Sequence, residues 1–201
     1  MVQRILVIEA SHNYEETGSR YISRRVQERF EKKYSDAIIV CHDLAKNPPP
    51  HLSGTMLHVM TNPQLELDES QQKAIELSDK FCDELLSSDI LLISMPMWNW
   101  GVPSAVKAWI DHIVRPQKTF HYTKEGIKGH INHARAVVVV STGAVYSNGP
   151  LKGMDHTSSY MHGLLTALGF ERVDIIYLEG TKIDPETSLK NAEEDVERLE
   201  L

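Results

Sequence analysis

Residues Ser94 to Ser104 read S-M-P-M-W-N-W-G-V-P-S, two tryptophans around an asparagine with glycine and proline on either side. Residues of these types at this spacing suit capture of a planar, polar-edged ring system. Trp98 and Trp100 offer flat apolar surface, Asn99 an amide that donates and accepts, and Gly101 a close backbone approach. The alternative is a loop whose tryptophans plug the core. A second run, A-S-H-N-Y-E-E-T-G-S, sets hydroxyls at Ser11, Thr17 and Ser19 where a helix is expected to begin. Hydroxyls and free N–H groups at a helix start bind phosphate, although a lone Ser or Thr there is more often a simple cap. Neither G-x-x-x-x-G-K-[ST] nor G-x-G-x-x-G occurs, so one terminal phosphate fits better than a nucleoside triphosphate or a dinucleotide. Glu15 and Glu16 are expected to face solvent, because turned inward they would repel a dianion. A third short run, S-T-G-A at Ser141, Thr142, Gly143 and Ala144, follows another apolar stretch.

These loops need elements to hold them. Apolar, β-rich runs at Ile5–Ile8, Ala37–Val40, Ile90–Ser94, Ala136–Ser141 and Val173–Leu178 alternate with helical patterns, which predicts five parallel strands in a βα rhythm. Helices are expected from Ser19 with Ile22, Val26 and Phe30 inward, and after Asp68 and Glu69 with Ala74, Leu77, Phe81 and Leu85 inward. Others follow Pro103 with Val106, Ile110 and Ile113, span Tyr160 to Leu168 and end at Gly169, and run on from Pro185. Asn47 to Glu66, with P-P-P, reads as a long surface excursion. T-F-H-Y-T at Thr119 to Thr123, followed by K-E-G-I-K-G, reads as a hairpin outside the main sheet. Right-handed crossovers favour a doubly wound, flavodoxin-like α/β sheet of order 2-1-3-4-5, helices on both faces, with residues 1–201 forming one domain. In that order the Ala10–Ser19 and Pro96–Ser104 loops meet at the switch point, where ligands bind.

Composition narrows the function classes. The chain has 201 residues, a net charge of -7 and scattered Lys and Arg, which disfavours nucleic acid as a partner. No run approaches a membrane span, and Ile5–Ile8 is too short for a signal-peptide core, so a cytoplasmic location is expected. Cys41 and Cys82 show no ligand spacing and are expected to be buried free thiols. No H-x-x-x-H or Cys/His cluster occurs, so no metal is expected.

Taken together, Ser11, the T-G-S run at Thr17, Gly18 and Ser19, D-L-A-K-N-P at Asp43–Pro48, P-M-W-N-W at Pro96–Trp100, T-F-H-Y-T and S-T-G-A resemble the FMN-dependent NADH-azoreductases. This is a branch of the flavodoxin-like NAD(P)H:quinone oxidoreductases, and the resemblance covers nearly the whole chain. It implies FMN as cofactor, with NADH or NADPH as electron donor. The cofactor would lie against Ser11, Thr17, Gly18, Ser19, Pro96, Met97, Trp98, Asn99, Trp100, Ser141, Thr142, Gly143 and Ala144. Trp98 and Trp100 stand where the family has Tyr and Phe, and Thr142 and Ala144 depart from its S-R-G-G. The resemblance further implies two-step hydride transfer through FMN to quinones or aromatic azo compounds, with backbone N–H groups of Trp98–Trp100 and Ser141–Ala144 facing the ring. Asn99, Phe120 and Tyr122 would meet the acceptor, and His121 or Tyr122 would orient it. A homodimer is implied as well, with Trp109, Ile110 and Ile113 as a shared surface. A flavodoxin-type electron carrier and a phosphodiesterase are the competing classes. The long excursion and aromatic hairpin speak against the carrier, and the lack of G-x-S-x-G speaks against the hydrolase.

Overall fold

A computed structural model describes residues 2–14 and 18–201. The β-branched run Arg4–Glu9 forms β1, and after the first loop Ser19–Lys33 coils into α1. Then come β2 (Ile38–Asp43), α2 (Gly54–Thr61), α3 (Glu69–Leu86), β3 (Ile90–Pro96) and α4 (Ser104–Ile113). A hairpin of β4 (Phe120–Thr123) and β5 (Gly126–Gly129) precedes β6 (Arg135–Ser141), α5 (Ser158–Leu168), β7 (Arg172–Leu178) and α6 (Pro185–Arg198). The five-stranded sheet runs β2-β1-β3-β6-β7, every pair parallel. The two hairpin strands pair only with each other, so they shift the chain numbering of the last two sheet strands without altering the βα winding.

Strand alternation distributes the core over two faces. Leu6, Ile8, Leu91, Ile93, Val138 and Val140 face α3, α4 and α5, where Phe81, Leu85, Trp109, Ile113 and Leu165 meet them. Ile5, Val7, Leu92, Val137 and Val139 face α1 and α6, where Ile22, Val26, Phe30, Ala192 and Val196 pack. The faces read for α1 and α4 are the buried ones. On α3 the buried face is rotated by one position, to Ile75, Ser78, Phe81, Cys82 and Leu85, leaving Ala74 and Leu77 at its margin. Ser78 belongs there because its hydroxyl donates to the His112 carbonyl at 2.6 Å, which a purely apolar pattern misses.

Three expectations need correction. The Asn47–Glu66 excursion contains α2: the Ser53 hydroxyl caps it by accepting the Met56 N–H at 3.2 Å, and Met56, Val59 and Met60 bury against Ile75. Cys41 is exposed on the edge strand β2, whereas Cys82 is buried as expected. Trp109, Ile110 and Ile113 lie wholly inside the chain's own core and leave no surface to share. The hairpin is pinned at its base, since a Cβ on Gly129 would sit 1.9 Å from the carbonyl carbon and oxygen of Leu168; only glycine lets β5 press against the end of α5. Among the described residues no helix is long and apolar enough to cross a membrane.

Candidate functional site

Register brings the loops together. Glu9 pairs with Ser94 and Pro96 with Ser141, so β1, β3 and β6 end along one edge. The ladder extends one residue further through Ala10 N–H to Ser94, Met97 N–H to Ser141 and Thr142 N–H to Leu178, each at 2.9 Å. Above that edge lies a crevice of about 610 Å³, walled by Ser11, Gly18, Pro96, Trp98 and Ser141, and on the β7–α6 side by Lys182 and Leu189. A wider hollow of about 750 Å³ follows the acidic outer face of α3, but it lies along one helix's solvated side, where no strand ends.

At one end of the crevice α1 begins without a side-chain cap. Gly18 has φ 75°, which a side chain would strain, and Ser19 is 1 % exposed with its hydroxyl unpartnered among the described residues. An uncapped helix start beside an orphaned hydroxyl is a ready anion site. Thr17, Glu15 and Glu16 lie outside the described residues, so the third hydroxyl and the outward turn of the two glutamates are not placed. The Ser11 hydroxyl accepts Asn13 N–H at 3.1 Å.

Sequence reasoning missed Arg20, whose Nε donates to the Ser11 carbonyl and whose second nitrogen donates to Asp43, both at 2.8 Å. Burial pushes the Asp43 carboxyl up, but Arg20 and the N–H groups of Lys46 and Ala45 outweigh it and hold it below the ordinary carboxylate range. Arg20 thus ties the first loop to the end of β2 with its charge neutralised. A second missed group is Glu9, beneath that loop: burial raises its carboxyl to about 6 against the pull of Ser23, Arg20 and Ser94. Its Oε1 accepts the Ser23 hydroxyl at 2.5 Å. No motif marks it, since a single charge ending an apolar strand looks like a solvated terminus.

The aromatic loop is a tight turn. Trp98 N–H donates to the Gly101 carbonyl at 3.1 Å and Gly101 N–H returns the bond at 3.0 Å, with Asn99 and Trp100 at φ 50° and 63°. Two left-handed residues make a type I′ geometry, costly for tryptophan and typical of a functional constraint. Trp98 and Trp100 are 44 % and 48 % exposed rather than core plugs. The His12 ring stacks on Trp98 at 5.4 Å, another contact no motif announces.

Not every N–H expected to face a ring is free. Those of Trp98 and Thr142 are spent on Gly101 and Leu178. Among the described residues, Asn99, Trp100, Gly143 and Ala144 keep theirs without an intramolecular acceptor. The Thr142 hydroxyl turns back to the Ala144 carbonyl at 2.6 Å, stiffening that loop.

The hairpin side chains do not line the crevice within one chain. Phe120 is 5 % exposed and part of the core, which corrects its reading as an acceptor contact; Tyr122 is 69 % exposed at the hairpin surface. His121 is engaged by His130 at 2.8 Å, and His130 by the Lys118 carbonyl, so the pair braces the hairpin base.

Comparison with known proteins accords with this geometry. The family described as flavodoxin-like fold matches residues 3–201. An FMN-dependent NADH:quinone oxidoreductase of Azotobacter vinelandii is 33 % identical over 198 residues, 98 % of each chain. One of Beijerinckia indica is 34 % identical over 182 residues, 90 % of each. Among solved structures, an azoreductase of Bacillus anthracis superposes with a TM-score of 0.87 at 22 % identity, covering 98 % of this chain and 100 % of that one. An FMN-dependent NADH-azoreductase of the same species, in complex with FMN, gives 0.88 at 23 % identity over 98 % and 97 %. At those identities the structures speak for the fold alone, while the sequence matches speak for descent. The chain belongs to the flavodoxin-like family that includes the FMN-dependent NADH:quinone oxidoreductases.

Proposed function

We propose that the crevice holds FMN and that the protein, acting as one domain of residues 1–201, reduces quinones and aromatic azo compounds with NADH. The carrying observation is the uncapped start of α1 with the orphaned Ser19 hydroxyl at one end of a crevice whose other wall is Trp98 and Ser141. The relatives' names supply the cofactor, donor and acceptor. Bound FMN supplies two-electron hydride chemistry. The chain supplies the rest: Ser11, Gly18 and Ser19, with Thr17, take the phosphate, Pro96, Met97 and Trp98 give an apolar wall, and Asn99, Trp100, Gly143 and Ala144 present N–H groups to the polar ring edge. Because the Trp98–Gly101 turn is strained yet doubly hydrogen-bonded, the Asn99 and Trp100 donors are fixed before anything binds, so little reorganisation is needed when charge develops.

Parallel double-reciprocal plots are expected with NADH and benzoquinone varied together, and anaerobic NADH should bleach the yellow protein until quinone restores it. Intersecting lines refute the two-step scheme. A flavin that neither NADH nor NADPH bleaches returns the electron carrier to first place, and a colourless protein that takes up no FMN ends the reading.

We also propose a homodimer, on the family likeness and on an exposed apolar pair, Tyr122 and its cross-strand partner Ile127, at the hairpin surface. Sedimentation at micromolar concentration should show two chains, and a species of 22.8 kDa overturns it. The two unpaired cysteines accord with a cytoplasmic setting, which cell fractionation reads.

A further inference from the structure

The end of the crevice away from α1 is built by the loop between β7 and α6, and that loop is stitched onto the loop after β6. Gly180 N–H donates to Ala144, Thr181 N–H and hydroxyl to Thr142, and Lys182 N–H to Gly143, at 2.9 to 3.2 Å. The Lys182 stem then lies over Gly143 so closely that a Cβ there would meet its Cγ at 3.1 Å. Backbone and stem of Lys182 are therefore both positioned, and it lines the crevice.

Its charge is uncommitted, for a structural reason. The two carboxylates nearest in the chain are occupied: Glu179 accepts the N–H groups of Tyr146 and Ser147 and the Ser147 hydroxyl, and Asp184 caps α6 through Thr187 N–H. Among the described residues Lys182 has no carboxylate within 4 Å. Among the described residues that line the crevice, His12 is the one other side chain with an ionisable group. In a chain of net charge -7, an exposed ammonium on a stem held over Gly143, with no carboxylate within 4 Å among the described residues, is the group best placed to answer negative charge in this crevice.

We propose that Lys182 stabilises the negative charge that the cofactor gains on reduction, an inference that rests on FMN occupying the crevice. Hydride transfer from NADH releases NAD⁺ and delivers two electrons and one proton, so bound FMN becomes more negative by one charge. A cation held at the crevice wall before that step favours the reduced form over the oxidised one, which is differential rather than uniform binding. The free N–H groups of Gly143 and Ala144, on the loop that the lysine covers, act in the same sense. The role is one of charge. An arginine serves it and an uncharged side chain of the same length does not.

The test compares Lys182→Met, which keeps a stem over Gly143 and removes the charge, with Lys182→Arg. Dissociation constants of oxidised and of reduced FMN are measured anaerobically, together with the midpoint potential of the bound flavin by equilibration with a reference dye. In Lys182→Met reduced FMN should bind about tenfold more weakly relative to oxidised FMN, which for a two-electron couple lowers the potential by about 30 mV. Lys182→Arg should restore the wild-type value. Equal weakening of both forms, an unchanged potential, or a raised KM for NADH at unchanged potential overturns the inference, the last by assigning the lysine to the nucleotide. If the wild-type protein binds no FMN, the reading of the crevice fails instead, and the two failures are thereby distinguished.

Discussion

A folded Ser19→Glu protein is expected to leave a desalting column without FMN, and Ser19→Ala to bind FMN about 10- to 100-fold more weakly than wild type, the loss of one hydrogen bond to a charged group. Both effects follow from a hydroxyl that is buried, without a partner among the described residues, and set at a helix start whose N-cap, Gly18, supplies no side chain. An unsatisfied polar atom in such a place costs free energy in the isolated chain, and an arriving phosphate oxygen removes the cost. The alanine variant removes the donor and leaves the helix N–H groups. The glutamate variant fills the anion's place with a carboxylate and adds like charge beside a dianion. Flavin absorbance per chain after desalting reads the outcome, with circular dichroism to establish folding. Wild-type flavin content in folded Ser19→Glu moves the phosphate elsewhere. Should the glutamate variant fail to fold, unchanged affinity in Ser19→Ala has the same force.

How much of this was legible in the sequence follows a physical division. The five-stranded parallel sheet was, and its order roughly, 2-1-3-6-7 in place of 2-1-3-4-5, because buried parallel strands are continuous apolar runs and crossover handedness leaves few arrangements. The meeting of the first and third loops was equally legible, since the switch point follows from the order alone. Side-chain consequences were not. Phe120 and Tyr122 share one face of a four-residue strand, their rings 5.3 Å apart, and nothing local says that the first is swallowed by the core while the second stands in solvent. Trp98 and Trp100 announced a flat surface, but the left-handed turn that presents them, and that spends the Trp98 N–H internally, depends on closure by Gly101. α2 was hidden because P-P-P masks a short helix whose buried face, Met56, Val59 and Met60, has a partner only once Ile75 is in place. Arg20, Glu9 and Lys182 escaped for one reason: each acts through residues distant in sequence, and a lone charge carries no spacing.

Glu9 gives the second large effect, on stability against pH. Glu9 is 6 % exposed, and burial raises its carboxyl from 4.5 to about 6 in the folded chain. The folded state therefore binds the proton more tightly than the unfolded state does. Stability falls as pH rises from the unfolded value through the folded one, and the whole penalty is present above about pH 7. With the two values about 1.5 apart, the ionised carboxylate costs the fold about 2 kcal/mol at neutral pH. Ser23, Arg20 and Ser94 recover only part of the burial cost. The other charged or titratable groups that bear on Glu9 are Asp43, which pushes its carboxyl up, and Cys41, both on β2. Glu9→Gln keeps the shape and an acceptor for Ser23, and it abolishes the ionisation. Urea unfolding of the FMN-free protein should find the variant more stable than wild type at pH 7.5, by about 2 kcal/mol beyond any difference that persists at low pH, with the gap closing as pH falls below about 4.5. A gap independent of pH would mean that the carboxyl already ionises in the folded chain as it does in the unfolded one, with Arg20 and Ser23 offsetting its burial in full.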